Sequence, residues 1–307
     1  MRSEVRTPSS ATVAIDNSTM PNVRARFPLG CSAAKMEPAG RHDAAYLPRT
    51  THVTGNVQIH EMGWAADELW FVNTRFSCLC TRSTNHSFVP RWRPRFITEL
   101  APEDRCHLNG LAIVGHQPRF VTALGQTNEA GAWRKDKKSG GVLIDVTTDR
   151  VIADGLSMPH SPRFHQDRLW VLESGKGEIG IVDINGGSVR PIAQLPGFTR
   201  GLTFHGPLAF IGLSQVRESA HFSEIPITDL PIEQRCSGVW IIDTRTGETI
   251  AFLKFQDAVQ EIFAVEVVER KYPELISDSA TMANTFILPD EALAEVTPAL
   301  RDPASKV

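Results

Sequence analysis

Apolar and polar positions recur in the same order at several points along the chain. Residues 60–74, HEMGWAADELWFVNT, reappear without a gap at residues 160–174 as HSPRFHQDRLWVLES. Both copies begin with histidine, place an aromatic residue four positions later, and end in an apolar run followed by Thr or Ser. A short polar segment separates two strand-like stretches in each copy, which predicts two β-strands joined by a tight turn.

Three further copies extend this pattern into a repeat. RGLTFHGPLAFIGLS at residues 200–214 aligns without a gap, HLNGLA at 107–112 needs a short insertion before RFVTALG, and EIFAVEVV at 261–268 is the weakest. The copies start about 40 to 60 residues apart, a period typical of a β-propeller in which each repeat forms one blade. We therefore expect an all-β fold, a β-propeller of about five to six four-stranded blades.

Turn residues and strand-like runs give the expected boundaries. The first predicted blade contains strands at residues 68–74, 77–81 and 96–100. The second predicted blade spans residues 107–156, the third 160–195 and the fourth 200–255. The outer hairpins of the last three share an apolar run that ends in Asp before a polar turn, at Asp145, Asp183 and Asp243. Four good blades and a fragment do not close a ring. Either residues 52–57 complete the last blade, or part of a blade at the N-terminal end is absent.

The remaining regions differ from the repeat. Residues 1–40 are rich in Ser, Thr, Pro, Ala and Arg without period-two alternation, and we expect a disordered arm there. Residues 41–270 form the expected propeller domain. Residues 271–307 are expected to be a C-terminal tail, in which TFILP predicts one closing strand and DEALAEV a short helix.

Composition limits the partners and the compartment. The 307 residues are 41% hydrophobic and 22% charged with a net charge of -3, which favours neither nucleic acid nor another polyanion as partner. No apolar run approaches the ~18 residues that a membrane span needs, and the N-terminal residues lack the apolar core of a secretory signal. Five cysteines, an odd number, suggest free thiols in a reducing compartment. These features together predict a cytoplasmic protein.

The amino-acid sequence of the repeats resembles that of a known family. RTTHVTGNVQIHEMGW, SFVPRWRPRFITELAPEDRCHLNGLA, GLSMPHSPRFHQDRLWVLESGKGE and LPGFTRGLTFHGPLAFIGLS are similar to an uncharacterised bacterial family, a domain of unknown function (DUF4915). The resemblance covers about residues 38–268. Family members usually carry a further blade's worth of sequence before the HVTG segment, where this chain has an unrelated first forty residues. The resemblance implies no reaction, so function has to be inferred from the residues themselves.

The repeat phase predicts a site at the propeller axis. Because the innermost strands of a propeller surround its axis, equivalent positions in successive blades converge there. That position holds His60, His107, His160, Arg200 and Glu261. Three neutral histidines would suit a divalent metal, Zn or Fe, with open positions for water or substrate. Arg200 would bind an anionic substrate, and Glu261 would act as a fourth ligand or a general base.

Other interpretations remain open at this stage. A repeated histidine can be structural by bonding the backbone of a neighbouring blade, and a strand register one residue away would turn the side chains from the axis. Asn109 and Arg163 are polar residues expected near the channel mouth, where they could contact a ligand. Two functional classes follow: a metal-dependent enzyme acting on a small anionic substrate, or a non-catalytic propeller that binds a protein or peptide with its histidines structural. The oligomeric state is open.

Overall fold

The structure, a computed structural model, contains two compact units. It describes residues 44–47, 52–216, 223–256, 259–268, 270–276, 279–283, 286, 288–293 and 295. One unit is Thr54–Val267, and the other combines Met1–Val53 with Val268–Val307. The expected arm at residues 1–40 lies outside the described residues, as do positions 285 and 287 of the TFILP segment. The described positions of that segment, 286, 288 and 289, are not in a strand, contrary to the prediction. Across the described ranges, no helix has the length and apolar character needed to cross a membrane.

Eighteen strands and two short helices are found in this part of the chain. In chain order the strands are β1 (Ala44–Tyr46), β2 (Ile59–Ala65), β3 (Glu68–Asn73), β4 (Cys78–Thr81), β5 (Val89–Trp92), β6 (Leu108–Val114), β7 (Gln117–Ala123), β8 (Gly141–Asp145), β9 (Arg150–Leu156), β10 (Pro159–His165), β11 (Arg168–Glu173), β12 (Glu178–Val182), β13 (Val189–Gln194), β14 (Phe198–His205), β15 (Leu208–Ser214), β16 (Ser237–Asp243), β17 (Thr249–Phe255) and β18 (Pro273–Leu275). The helices are α1 (Ser279–Ala283) and α2 (Asp290–Leu293). The second of these lies within the segment expected to be helical.

The unit Thr54–Val267 is built as a β-propeller. Its strands form four antiparallel four-stranded sheets in simple chain order, β2 to β5, β6 to β9, β10 to β13 and β14 to β17. The first strands of successive sheets, β2, β6, β10 and β14, lie side by side in that order. Each sheet is therefore one blade with its first strand innermost, which confirms the fold class inferred from the repeat.

Apolar side chains on facing sheets hold neighbouring blades together. Leu79 of the first blade packs with Leu108 and Val121 of the second, and all three are fully buried. Trp170 of the third blade is 1% exposed and packs with Leu202 of the fourth. Since a strand alternates its side chains between two faces, the alternating apolar residues of each blade meet those of the next. Trp170 is a core residue between blades, as the sequence indicated.

The three hairpin aspartates also have the expected role. The Asp145 carboxylate accepts hydrogen bonds from the backbone N–H of Thr147 at 2.9 Å and from its hydroxyl at 2.7 Å. Asp183 accepts from the N–H groups of Asn185 and Gly186, both at 3.0 Å. An Asp side chain that bonds its own backbone two residues on stabilises a tight turn. Asp243 does the same with the N–H of the residue two positions later, at 2.9 Å.

Two strand assignments from the sequence are wrong. The outermost strand of the first blade was expected at residues 96–100, but the structure places it earlier, at Val89–Trp92. Proline is tolerated on an edge strand, and Pro90 occupies such a position opposite Cys80. A turn follows instead of a strand, with the Ile97 N–H bonded to the Pro94 carbonyl at 2.9 Å. Residues 52–57 form no strand either, so they do not complete a blade.

The fifth repeat is also not a strand. Residues 259–268 are without regular secondary structure, although EIFAVEVV predicted one. The N–H of Ile262 is bonded to the Ser214 side chain, 2.9 Å away, and not to a partner strand. Without a following hairpin in the described residues, the segment has no ladder to join. The four sheets are thus the blades that the described residues contain.

The second unit is described by a small sheet. β1 pairs with β18 in parallel register, Ala44 opposite Pro273 and Tyr46 opposite Leu275. The N–H of Ile276 continues this pairing with a 2.9 Å bond to the Tyr46 carbonyl. The sequence indicated neither strand, because each is only three residues long and lacks a repeat partner.

Candidate functional site

The five residues at the shared repeat position come together at the inner ends of the blades. His60, His160 and Arg200 lie on β2, β10 and β14, His107 directly precedes β6, and Glu261 lies in the segment that follows the fourth blade. The rings of His60 and His107 are 4.7 Å apart and nearly perpendicular. The positive charge of Arg200 lowers the pKa of all three histidines. The three histidines and Arg200 are therefore close enough to act on one another electrostatically, and Arg200 and Glu261 line one cavity, while the roles of all five stay predictions.

His60 is fixed by a chain of hydrogen bonds. Its Nδ1 lies 3.0 Å from the carbonyl of Gln58 and 2.8 Å from the hydroxyl of Thr74. That hydroxyl donates its own hydrogen to the carbonyl of Leu108, 2.6 Å away on the second blade. Because a carbonyl only accepts and the hydroxyl hydrogen is used, Nδ1 must carry the proton, which we assign from these bonds. Nε2 is then an acceptor.

The same arrangement surrounds His160. Its Nδ1 lies 2.9 Å from the carbonyl of Met158 and 2.9 Å from the hydroxyl of Ser174. In both copies the residue two positions before the histidine has a positive φ, 55° at Gln58 and 45° at Met158. A left-handed conformation is uncommon for residues with a side chain, and here the carbonyls of those two residues meet the imidazoles. Sequence reasoning missed this feature, although the Thr or Ser fourteen positions after each histidine was visible in the alignment.

His107 has a different partner. Its Nδ1 lies 3.0 Å from both carboxylate oxygens of Asp104. The same carboxylate accepts from Trp133 Nε1 at 3.0 Å and from Arg134 at 3.4 Å. The ring of Trp133 packs 4.4 Å from the imidazole. Asp104 therefore sets the orientation of His107, and only the spacing of the two residues in EDRCH could have suggested it.

All three histidines are neutral at pH 7. Burial is the main cause, and it lowers the pKa of His60 to about 3. Burial also lowers the pKa of His107, and the Asp104 carboxylate opposes this shift. The pKa of His160, which is buried, lies well below the usual value. A protonated histidine would be repelled by the positive charge of Arg200, and this repulsion adds to the effect of burial.

Arg200 carries the positive charge of the site. Its guanidinium carbon lies 3.6 Å from the ring centre of Phe263. Its Nη2 is buried and finds no hydrogen-bond partner among the described residues. Burial lowers the pKa of Arg200 to about 10, and the carboxylates of Glu61 and Glu261 oppose that shift. The side chain is still a cation at pH 7, with one donor group unused.

A cavity of about 250 Å³ adjoins Arg200. The lining residues come from β14, the end of β15 with the residues just after it, and the segment after the fourth blade: Phe198, Arg200, Ser214, Val216, Glu261, Ile262 and Phe263. Two of them are charged, Arg200 and Glu261. Glu261 is exposed and forms no ion pair with any residue of the described ranges.

The segment after the fourth blade is held in place as an inner strand would be. The hydroxyl of Ser214 donates to the carbonyl of Ile262 at 3.3 Å and accepts from its N–H at 2.9 Å. By repeat position this matches the bond between Thr74 and Leu108. Gly212 allows the close approach, because a Cβ there would lie 2.7 Å from Ile262 Cγ2. Glu261 therefore occupies the repeat position although its segment is not a strand.

Asn109 and Arg163 link structural elements. The Asn109 amide donates to the carbonyl of Pro159 at 3.0 Å and accepts from Thr122 at 2.7 Å, which joins the second and third blades. Arg163 forms a two-pronged ion pair with Glu61, at 2.9 and 3.3 Å. Neither residue lines the cavity beside Arg200. A ligand-binding role for them stays a prediction.

The arrangement of the histidines bears on metal binding. Among the residues that the structure describes, no three His, Cys, Asp or Glu side chains are arranged so that they could hold a metal ion. The hydrogen bonds to Nδ1 nevertheless leave Nε2 of each histidine as the free ring nitrogen. An imidazole whose other nitrogen is bonded to a carbonyl or carboxylate is the usual form of a metal-binding histidine.

Comparisons with known proteins identify a family match. Residues 23–276 match the model of a domain of unknown function (DUF4915). No curated protein matches the sequence.

Solved structures give only distant likenesses. A nidogen/laminin complex shares 15% identity at a TM-score of 0.41, with 69% of each chain covered. Hydrazine synthase of Kuenenia stuttgartiensis shares 12% identity at 0.39, with 68% of this chain and 53% of that chain covered. A catalytically inactive virginiamycin B lyase from Staphylococcus aureus, solved with quinupristin, shares 9% identity at 0.34, with 71% and 59% covered. The chain thus spans little more than half the length of the last two, and likenesses this low support no argument about function.

Proposed function

The chain belongs to the DUF4915 family, and we propose that this β-propeller protein binds a small anionic ligand in the cavity beside Arg200. The observation that carries the proposal is the buried Nη2 of Arg200, which has no hydrogen-bond partner in the described part of the chain. A carboxylate or phosphate oxygen placed in the cavity would accept hydrogen bonds from the guanidinium group of Arg200, which lines it. Guanidinium groups bind such anions with short, charge-assisted hydrogen bonds.

The electrostatics of the site support this ligand charge. Arg200 is half-buried, and its buried Nη2 has no hydrogen-bond partner in the described part of the chain. An unpaired N–H group of a cation is costly, since burial removes its hydration. The three histidines are neutral and supply no compensating negative charge. An anion would provide that charge. The cavity volume of about 250 Å³ lies below the usual range of ligand pockets, ~300–1,000 Å³, so the ligand would be small.

The site could also perform chemistry on such a ligand. Arg200 would orient the substrate and stabilise negative charge that develops in a transition state. Glu261 lines the same cavity and would act as a general base. The alternative is a propeller without catalysis that binds a peptide or protein, with the histidines holding the blades.

Binding constants for small anions test the proposed function. Calorimetric titration with short-chain carboxylates and with inorganic phosphate should show binding to the natural protein. Arg200→Gln should weaken that binding at least tenfold, about 1.4 kcal/mol, because it removes the charge. Arg190→Gln serves as the matched control, since Arg190 is exposed and forms no side-chain bond within the described residues. Equal binding by Arg200→Gln, or no binding by any anion, would overturn the proposal.

A divalent metal, Zn or Fe, is the second candidate at this position. The favouring observation is that Nδ1 of His60, His107 and His160 is in each case bonded to a carbonyl or carboxylate, which leaves Nε2 as the free nitrogen. Elemental analysis of the purified untagged protein decides it. Stoichiometric metal that falls in His107→Ala, without loss of folding, would support a metal site, and metal-free protein would count against it.

A further inference from the structure

The two charged residues of the cavity restrict the chemical class of the ligand further. We infer that the ligand is a zwitterion of the α-amino acid type with an apolar side chain, its carboxylate on Arg200 and its ammonium group on Glu261. The inference rests on the proposed function and names the class of ligand that the same cavity would take.

The charges of Arg200 and Glu261 are separated within the cavity. Arg200 and Glu261 line one cavity of about 250 Å³, and the carboxylate acts on the guanidinium electrostatically. They form no ion pair within 4.0 Å. Opposite charges that share a cavity without meeting leave space for a molecule that pairs with both. A simple anion would satisfy Arg200 and place its negative charge near Glu261, which is unfavourable.

The two charged groups lie at different depths in the cavity. Nη2 of Arg200 is buried, whereas Glu261 is exposed. The ligand carboxylate would therefore enter the cavity first, and the ammonium group would remain towards the opening. A solvated ammonium group loses less hydration there than it would deeper in the cavity.

The position of Glu261 is fixed by its neighbours in the chain. The carbonyl of Gln260 accepts from the backbone N–H of Gln215 at 2.9 Å. The N–H of Ile262 donates to the hydroxyl of Ser214, also at 2.9 Å. Bonds on both sides of Glu261 place its backbone against the fourth blade, so the carboxylate is presented to the cavity by an anchored segment.

The rest of the lining argues for an apolar side chain. Phe198 and Val216 are buried, and Ile262 and Phe263 complete the walls. The single remaining polar group is the Ser214 hydroxyl, which already donates to and accepts from Ile262. A sugar acid or a sugar phosphate would bring hydroxyl groups that find few partners on such walls, and unpaired polar groups weaken binding.

A matched set of ligands tests the inference on the full chain. L-leucine is compared by calorimetry with 4-methylpentanoate, which lacks the amine, and with 3-methylbutylamine, which lacks the carboxylate. L-methionine and L-phenylalanine are compared with their deaminated acids in the same way. We expect at least one amino acid to bind tenfold or more tightly than its deaminated acid, and the amine to bind weakest.

Variants assign that preference to Glu261. In Glu261→Gln the amino acid and its deaminated acid should bind within about twofold of each other. Glu248→Gln is the control, because Glu248 is exposed and has no side-chain partner in the described residues. If the acids bind to the natural protein as tightly as the amino acids, or if Glu261→Gln keeps the preference, the zwitterion is wrong while the anion site stands. If neither acids nor amino acids bind, both proposals fail.

Discussion

The Nδ1 atom of His160 lies 2.9 Å from the hydroxyl of Ser174, fourteen residues later and directly after the adjacent strand β11. The equivalent pair, His60 and Thr74, is 2.8 Å apart. Each histidine is thereby tied to the second strand of its own blade. Thr74 extends the tie to the next blade through the carbonyl of Leu108. The repeated histidine thus has a structural task, whatever else it does.

The hydrogen bonds of the Thr74 hydroxyl should stabilise the folded protein. Thr74→Val keeps the shape of the side chain but removes the hydroxyl, which leaves His60 Nδ1 with one partner and takes away the hydrogen bond to the Leu108 carbonyl. Loss of a buried hydrogen-bond partner costs about 1–3 kcal/mol, so the free energy of unfolding in urea should fall by about that amount. Thr249→Val is the control, since Thr249 is exposed on β17. A change below 0.5 kcal/mol, roughly the usual effect of a surface substitution, would contradict a stabilising role for the hydrogen bonds of the Thr74 hydroxyl.

The repeat predicted the convergence of the site because register in a propeller is inherited from blade to blade. Once β2 and β10 were aligned at His60 and His160, Arg200 followed from the same phase on β14. Glu261 also lies beside Arg200, as the repeat position predicted, although its segment is not a strand. The position depends on packing against the fourth blade, which Ile262 and Gly212 supply, and not on a ladder of its own.

The sequence did not predict contacts that depend on turn conformation. Asp104 orients His107 from a left-handed conformation, with φ of 49°, and no apolar period marks such a residue. The role of Arg163 was also hidden, because its partner Glu61 is one hundred and two residues away in the chain. A single sequence gives the phase of a strand but not the pairing of its charges across the axis.

Acid should destabilise the protein through its histidines. Their folded-state pKa values are lowered, so below about pH 6.5, the unperturbed value, the unfolded chain binds protons that the folded chain does not. Stability should therefore decline as pH falls from 6.5 towards 3, where His60 itself titrates. Each such histidine contributes up to about 1.4 kcal/mol per pH unit. Urea unfolding at pH 7, 6 and 5 measures the slope.

A variant separates the histidines from the carboxylates that also titrate in acid. His160→Asn retains a donor near the Met158 carbonyl but cannot bind a proton. Its stability should depend less steeply on pH between 6.5 and 5 than that of the natural protein. An unchanged slope would show that His160 is not protonated preferentially in the unfolded chain.

Asp104→Asn should destabilise the protein and lower the pKa of His107 further. Asn tolerates the left-handed conformation as Asp does, so the exchange isolates the charge that His107 and Arg134 face. Loss of these charge-assisted bonds should cost about 1–3 kcal/mol. Nuclear magnetic resonance titration of His107 reports the pKa directly. Asp167→Asn, at an exposed position with φ of 57°, is the matched control. Equal stability of the two variants would exclude an orienting role for Asp104.

Arg200→Met should stabilise the ligand-free protein while it abolishes anion binding. Methionine fills similar space against Phe263, and thioether–aromatic contacts replace part of the cation–π attraction. The substitution removes a cation whose buried Nη2 has no partner among the described residues. Replacing buried ion pairs by well-packed apolar side chains is often neutral or stabilising by about 1–4 kcal/mol. We expect about 1 kcal/mol here, because Arg200 is half-buried and the lost cation–π contact offsets part of the gain. Thermal and urea unfolding of the ligand-free variant measure it. A less stable variant would mean that Arg200 is already compensated in the free protein, and the main argument for an anion beside it would be lost.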